Sequence, residues 1–183
     1  MANITESSAT AQRREASPTQ KLAREVSKEN TASNVIVEQL QRQVANAFVL
    51  YTNYKHYHWQ TFGPLFRDLH LLFDEFAVAV LATVDDFAER LRMIGQDPVS
   101  RPDDILANAN VKPAERDQTM REMLQEADAN LLQVIKDMRL AARLADEQND
   151  PGTVDLFSRH VQIHEKHEWW VRDILEKDDG LIT

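Results

Sequence analysis

His70, Asp74, Asp85 and Glu89 are all metal-competent residue types, and they share one uninterrupted helical stretch, LHLLFDEFAVAVLATVDDFAERL. At 100° per residue they lie, relative to His70, at roughly 0°, 40°, 60° and 100°, on one stripe of an otherwise apolar face. Charged and polar groups on such a face are costly unless something binds them. The two pairs cannot share an ion within one chain. Eleven residues separate Asp74 from Asp85, roughly 16 Å of helix rise, whereas ligands converge to about 2 Å from a metal. A second copy of the helix, antiparallel across a two-fold axis, would bring His70 and Asp74 of one chain to Asp85 and Glu89 of the other. An isologous dimer makes that pairing twice and gives two identical sites.

The elements that must hold these residues follow from apolar period and breakers. Ser33 or Asn34 can cap a first long helix from about Val35 to Thr61, with Val37, Leu40, Val44, Phe48 and Tyr51 on one face. Gly63-Pro64 ends it. A second helix runs from about Leu65 to Ile94 and stops at Gly95. The next loop is long, and Pro102 to Ala107 within it is expected to form one or two helical turns. A third helix is expected from Pro113, a favoured first-turn residue, to Gln148, with Met120, Leu124, Leu131, Ile135 and Met138 facing inward. Asn149 to Gly152 reads as a turn, and a fourth helix runs from about Thr153 to Lys177. The fold class is therefore all-α: an antiparallel four-helix bundle with a short helix in the loop between its second and third helices. Residues 1–33 read as a flexible arm with a nascent helical turn around Lys21 to Lys28, 34–177 as the bundle, and 178–183 as a short tail.

With the second helix folded back at Gly63-Pro64, His58 meets His70 and Asp74. Asp85 and Glu89 of the partner bring the set to two nitrogen donors and three carboxylates, which suits divalent iron with room for water or an oxidant. The plainer reading is that His58 and His70 cap helices or bond backbone while the acids are solvated. From the residues alone the two stand level.

The bulk composition narrows the chemistry. There is no cysteine, so disulfides, thiolate metal sites and cysteine nucleophiles are excluded. Net charge is −9; residues 1–33 carry five basic against four acidic side chains, so the acidity lies in the body. Such a body attracts cations and repels phosphate backbones, so DNA binding is expected to be weak or absent. The chain's start has no apolar segment of signal-peptide length, and nothing approaches the roughly 18 apolar residues of a membrane span. A cytoplasmic location is expected, with no membrane association.

The segment HYHWQTFGPLFRDLHLLFDEF, followed by VDDFAERL, resembles the Dps family, the miniferritins or DNA-binding proteins from starved cells. The match is dense from about Tyr57 to Ile94, and the helical layout extends it to about Val35–Lys177. The resemblance implies a homododecameric cage that oxidises ferrous iron, with hydrogen peroxide preferred over oxygen, and stores the ferric mineral against oxidative stress. It implies ferroxidase centres at two-fold interfaces, with His58, His70 and Asp74 from one subunit and Asp85 and Glu89 from its neighbour. It also places Trp59 beside the centre, either stacking and intercepting radicals or simply packing. Iron is the implied metal, with zinc as a competing ion. The alternative from the same family is a DNA-compacting stress protein with little ferroxidase activity.

Three further features stand beside this. His164, in SRHVQIHEKHEWW, falls with Glu168 on the inward ladder of Phe157, Val161, Val171 and Leu175. It is either an added metal ligand or a buried, hydrogen-bonded histidine; His160 and His167 flank that face and rank behind it, and His56 should be exposed. Asp146, Glu147, Asp150 and Asp155 crowd the last turn region, where Dps-like shells have cation pores, so at least one is expected to serve a pore. Finally, a di-iron centre inside one bundle needs Glu-x-x-His. The residues three before the histidines are Asn53, Lys55, Arg67, Phe157, Val161 and His164, so that arrangement is excluded.

Overall fold

The computed structural model describes residues 17–29 and 33–176. Every regular element among them is helical. The chain divides into two compact units, residues 1–31 and 32–183. The first contains α1 (Pro18–Glu29), twelve residues where the sequence suggested only a nascent turn. Ser17 and Gln20 cap its start reciprocally, at 2.9 and 3.2 Å. The remainder of the expected arm, and the expected tail 178–183, lie outside the described residues.

The second unit holds α2 (Asn34–Gln60), α3 (Phe66–Met93), α4 (Pro102–Asn108), α5 (Met120–Glu147) and α6 (Pro151–Glu176). The long helices α2, α3, α5 and α6 form the bundle around Leu40, Tyr54, Tyr57, Phe73, Phe76, Phe87, Leu124, Leu131 and Phe157, all fully buried. Gly63 and Gly95 supply the positive φ, 86° and 81°, of the turns bounding α3. At the second, Gln96 N–H donates to Leu91 O and Gly95 N–H to Arg92 O, the paired bonds of a Schellman cap.

The connection from α3 to α5 both crosses the bundle and carries α4. Its last part corrects the sequence reading: α5 starts at Met120, not Pro113. Side chains of α2 and α5 claim the backbone of this segment before a helix can. Asn53 donates to Lys112 O at 2.7 Å and accepts from Ala114 N at 2.8 Å, and Asn130 accepts from Lys112 N at 2.9 Å. Asp117 then turns left-handed, φ 56°. The true start is a capping box, with Thr119 Oγ1 accepting from Glu122 N–H and the Glu122 carboxylate from Thr119 N–H.

α6 starts two residues earlier than expected, because Asp150 caps it. Its carboxylate accepts from Thr153 N–H and Oγ1 at 3.0 and 2.6 Å, and also takes the Arg90 guanidinium at 2.5 Å. Gly152 makes room for this: a Cβ there would sit 3.0 Å from Arg90 Nη1.

Candidate metal centre

The last turn of α2 leaves carbonyls with no helical partner. Thr61 Oγ1 donates to Tyr57 O at 2.7 Å, and the ring of His70 covers the next, its Nδ1–H donating to His58 O at 2.8 Å. The reverse bond is also made: His58 Nδ1–H donates to His70 O at 2.6 Å. A carbonyl can only accept, so both Nδ1 atoms carry the proton. The rings stack with centroids 3.6 Å apart and planes 20° apart, and Phe66 stacks on the outer side of His70 at 5.0 Å. In the neutral rings both Nε2 lone pairs are therefore free. Metal-binding histidines are oriented in this way, with the second nitrogen anchored on backbone or carboxylate. The plainer sequence reading, that these histidines bond backbone, is correct in itself, and it is what frees their ligating atoms.

Asp74 is one turn further along α3, half-exposed, and its Oδ1 accepts from Lys55 Nζ at 2.6 Å. That hydrogen bond, with smaller help from the charges of Lys55, His58 and His70, holds its carboxyl below the usual aspartate range against partial desolvation. Lys55 also lies 5.8 Å from the centroid of Trp59, which is 69% exposed. Asp85 and Glu89 are exposed, and among the described residues neither takes part in an ion pair or hydrogen bond. No group of three or more His, Asp or Glu among the described residues is placed to hold an ion within the single chain. The chain thus presents two incomplete sets at either end of α3's outer face. Between them lies an apolar groove of about 370 Å³ lined by Tyr51, Lys55, Asp74, Ala77, Val78, Leu81 and Ala82.

The inner histidines are a different matter. His160, His164 and His167 are all buried. His164 sits where the apolar ladder put it, inside the bundle. Burial drives its pKa down to about 3 and that of His167 to about 4, so both are neutral near pH 7. His167 stacks on Phe76 at 3.8 Å. His160, ranked low by sequence, faces Asp86 across the α3–α6 seam, 2.9 Å from Nε2 to Oδ2. The signal that finds all three is heptad spacing: Thr153, Phe157, His160, His164, His167 and Val171 step by four and three along the buried face of α6. His56, expected to be exposed, is half-buried and edge-on to Tyr57.

Of the four turn acids, two have structural partners. Asp150 caps α6 and pairs with Arg90, while Asp155 pairs with Arg159 at 3.0 Å. Asp146 and Glu147 remain exposed at the end of α5.

A ferritin-like domain profile matches residues 37–181. DNA protection during starvation protein 1 of Deinococcus radiodurans is 33% identical over 144 residues, 78% of this chain and 70% of that one. The solved Dps of Thermosynechococcus elongatus is 45% identical, covers 88% of this chain and 99% of its own, and superposes with a TM-score of 0.78. The chain belongs to the Dps family. Its membership places it in the ferritin-like di-iron-carboxylate superfamily, in the words used for the Dps of Vibrio cholerae, 26% identical with a TM-score of 0.74 over 81% of this chain. The Dps bundle therefore accounts for the four long helices, the crossing connection and α4. Among the described residues of this Dps, no helix is long and apolar enough to cross a membrane.

Proposed function

We propose that this Dps is a ferroxidase and iron-storage cage whose centres are completed across a two-fold interface. His58 Nε2, His70 Nε2 and the Asp74 carboxylate of one subunit face Asp85 and Glu89 of the next. The observation that carries the reading is the reciprocal clasp of His58 and His70, which anchors both Nδ1 atoms on backbone and leaves two Nε2 lone pairs free on stacked rings. Ferrous iron is the substrate. Hard carboxylate donors favour the ferric over the ferrous ion, so they lower the reduction potential and promote oxidation. With hydrogen peroxide as oxidant, two ferrous ions give one electron each, the O–O bond breaks, and two protons complete two waters. Pairing the two electrons avoids release of hydroxyl radical. Iron or a competing zinc ion must displace or share the Lys55 ammonium at Asp74. We place the assembly as a cytoplasmic homododecamer storing ferric mineral.

The test is anaerobic addition of Fe²⁺, then hydrogen peroxide, followed by absorbance near the ferric band. Wild type is compared with His70→Ala/Asp74→Ala, both checked for assembly by light scattering. Fast oxidation that disappears in an assembled variant is the expected result; equal slow oxidation in both removes the proposal. Compaction of DNA is the competing role, and the acidic body opposes it. A gel shift at low and then moderate salt should show little retained DNA at the higher salt.

A further inference from the structure

Tyr54 and Tyr57 are both fully buried on the inner face of α2. Their hydroxyls differ. That of Tyr54 has no hydrogen-bond partner. That of Tyr57 donates to Glu126 Oε1 of α5 at 2.6 Å, the short length of a charge-assisted O–H···O⁻ bond. A phenol gives up an electron readily only when its proton can leave in the same step, because a positive charge left in the core is costly. Tyr57 has a place for that proton and Tyr54 does not. The Glu126 carboxylate is held in aim by Glu115 N–H on Oε1 and Gln118 Nε2 on Oε2, each at 3.2 Å.

Tyr57 also stands beside the metal donors. It immediately precedes His58, and its ring lies 5.2 Å from that of Phe73, which immediately precedes Asp74. Adjacent Cα atoms are about 3.8 Å apart, so the Tyr57 ring is within roughly 10 Å of the His58 ring. Trp59 is the less suited neighbour, since the Lys55 ammonium 5.8 Å from its ring centroid opposes a positive charge there. From Tyr57 the rings continue across the bundle. Centroids lie 6.4 Å apart from Tyr57 to Tyr54, 5.5 Å from Tyr54 to Phe76, 6.0 Å from Phe76 to Trp170 and 6.4 Å from Trp170 to Trp169. Trp169 is half-exposed, and its indole N–H donates to Asp173 at 2.9 Å. Each end of this run therefore has a carboxylate to take a proton.

We propose that Tyr57 is a one-electron donor to the peroxide reaction, with Glu126 as its proton acceptor and Trp169, paired with Asp173, as the surface point from which it is re-reduced. The iron step rests on the ferroxidase reading and extends it to a centre holding a single Fe²⁺. There Fe²⁺ gives one electron to hydrogen peroxide and Tyr57 gives the other. The O–O bond breaks and two protons from solvent complete two waters. The phenol proton passes to Glu126, and a neutral phenoxyl remains. An electron from Trp169 then restores Tyr57, which retakes its proton from Glu126 as the indole proton passes to Asp173. A small-molecule reductant such as ascorbate returns the electron to Trp169, and Asp173 returns the proton.

The experiment loads the assembled protein anaerobically with one Fe²⁺ per two-fold centre, adds hydrogen peroxide and freezes the mixture for electron paramagnetic resonance. Wild type should show a tyrosyl signal that Tyr57→Phe loses, while a spin trap collects several-fold more hydroxyl radical from that variant. Glu126→Gln, which keeps an acceptor oxygen but not the base, should weaken the signal. Trp169→Phe should lengthen its lifetime in ascorbate, and an unchanged lifetime removes the surface route. Circular dichroism and light scattering confirm the fold and assembly of each. A bond that merely clamps α2 to α5 would change stability in Tyr57→Phe and leave wild type without the signal. Fast ferric formation with no tyrosyl signal, or a signal kept in Tyr57→Phe, overturns the proposal and leaves the ferroxidase reading intact. An iron-free arm covers the reverse case. Oxidation of the metal-free protein by a photogenerated ruthenium oxidant should give the same Tyr57 signal, so this redox site can stand if the ferroxidase reading falls; absence of the signal there overturns it.

Discussion

The same side chain is used in opposite ways on the two faces of this bundle. At the outer end of α3, His58 and His70 have each satisfied Nδ1 with the other's backbone carbonyl, leaving Nε2 free. On the inner face of α6, His164 and His167 each have a buried Nδ1 with no partner. A buried polar atom left unpaired costs free energy, whereas one anchored on backbone costs little. The outer pair is thus prepared to act, and the inner pair is tolerated at a cost. Histidine content or spacing alone does not separate the two; the partner of the second nitrogen does.

The sharpest break of this comparison exchanges roles. His70→Ala alone should lower peroxide-driven iron oxidation by about 100-fold, while His164→Leu leaves it within about twofold. A large loss in His164→Leu would restore His164 as a ligand, the alternative open in the sequence.

The pH dependence of stability should come next in size. Folded His164 and His167 titrate near 3 and 4, against 6.5 for an ordinary histidine. Between those values the unfolded chain binds protons that the folded chain refuses. Their stabilising contribution is complete above pH 6.5 and is lost as pH falls toward the folded values, by about 1.4 kcal/mol per pH unit per histidine. Urea unfolding at pH 7, 6 and 5 should show this slope, ahead of carboxylate titration. His164→Leu should flatten it and leave stability at pH 7 unchanged or higher.

Asp150→Ala should cost roughly 2–4 kcal/mol in thermal unfolding, by loss of the α6 cap and of the half-buried partner of Arg90. Asp146→Ala should cost almost nothing, and if either acid serves ion entry it is this one that should slow iron uptake. The smallest change is Lys55→Met. With no ammonium on its carboxylate, Asp74 should titrate nearer the ordinary aspartate range. Zn²⁺ binding by calorimetry should then tighten by roughly 3- to 10-fold.

The four long helices were legible because their apolar faces recur with helical period and their ends carry glycine, proline and capping residues. The meeting of His58 with His70 was legible too, since Gly63-Pro64 leaves α3 little choice but to double back beside α2. What the residues could not reveal depended on partners distant in sequence. Pro113 is a sound helix start until Asn53 and Asn130 reach its neighbours, and no local rule contains that reach. Thr119-x-x-Glu122, the capping box that does start α5, is the local signal that marks the true boundary. Asp150 read as a turn residue and pore candidate because its engagement with Arg90, sixty residues away, leaves no local sign. The order of the inner histidines was recoverable: their four-three spacing is plain once Phe157 rather than Val161 is taken as the phase.

The clasp between His58 and His70 also ties two events together. Each ring serves as a stopper for the other helix's carbonyl, so closing the α2–α3 turn and aiming the imidazoles are one local transition. If the turn opens, the donor set disperses; if an ion holds the donors, the turn cannot open. Metal should therefore register in amide exchange at the end of α2, where the main chain would report whether the centre is loaded.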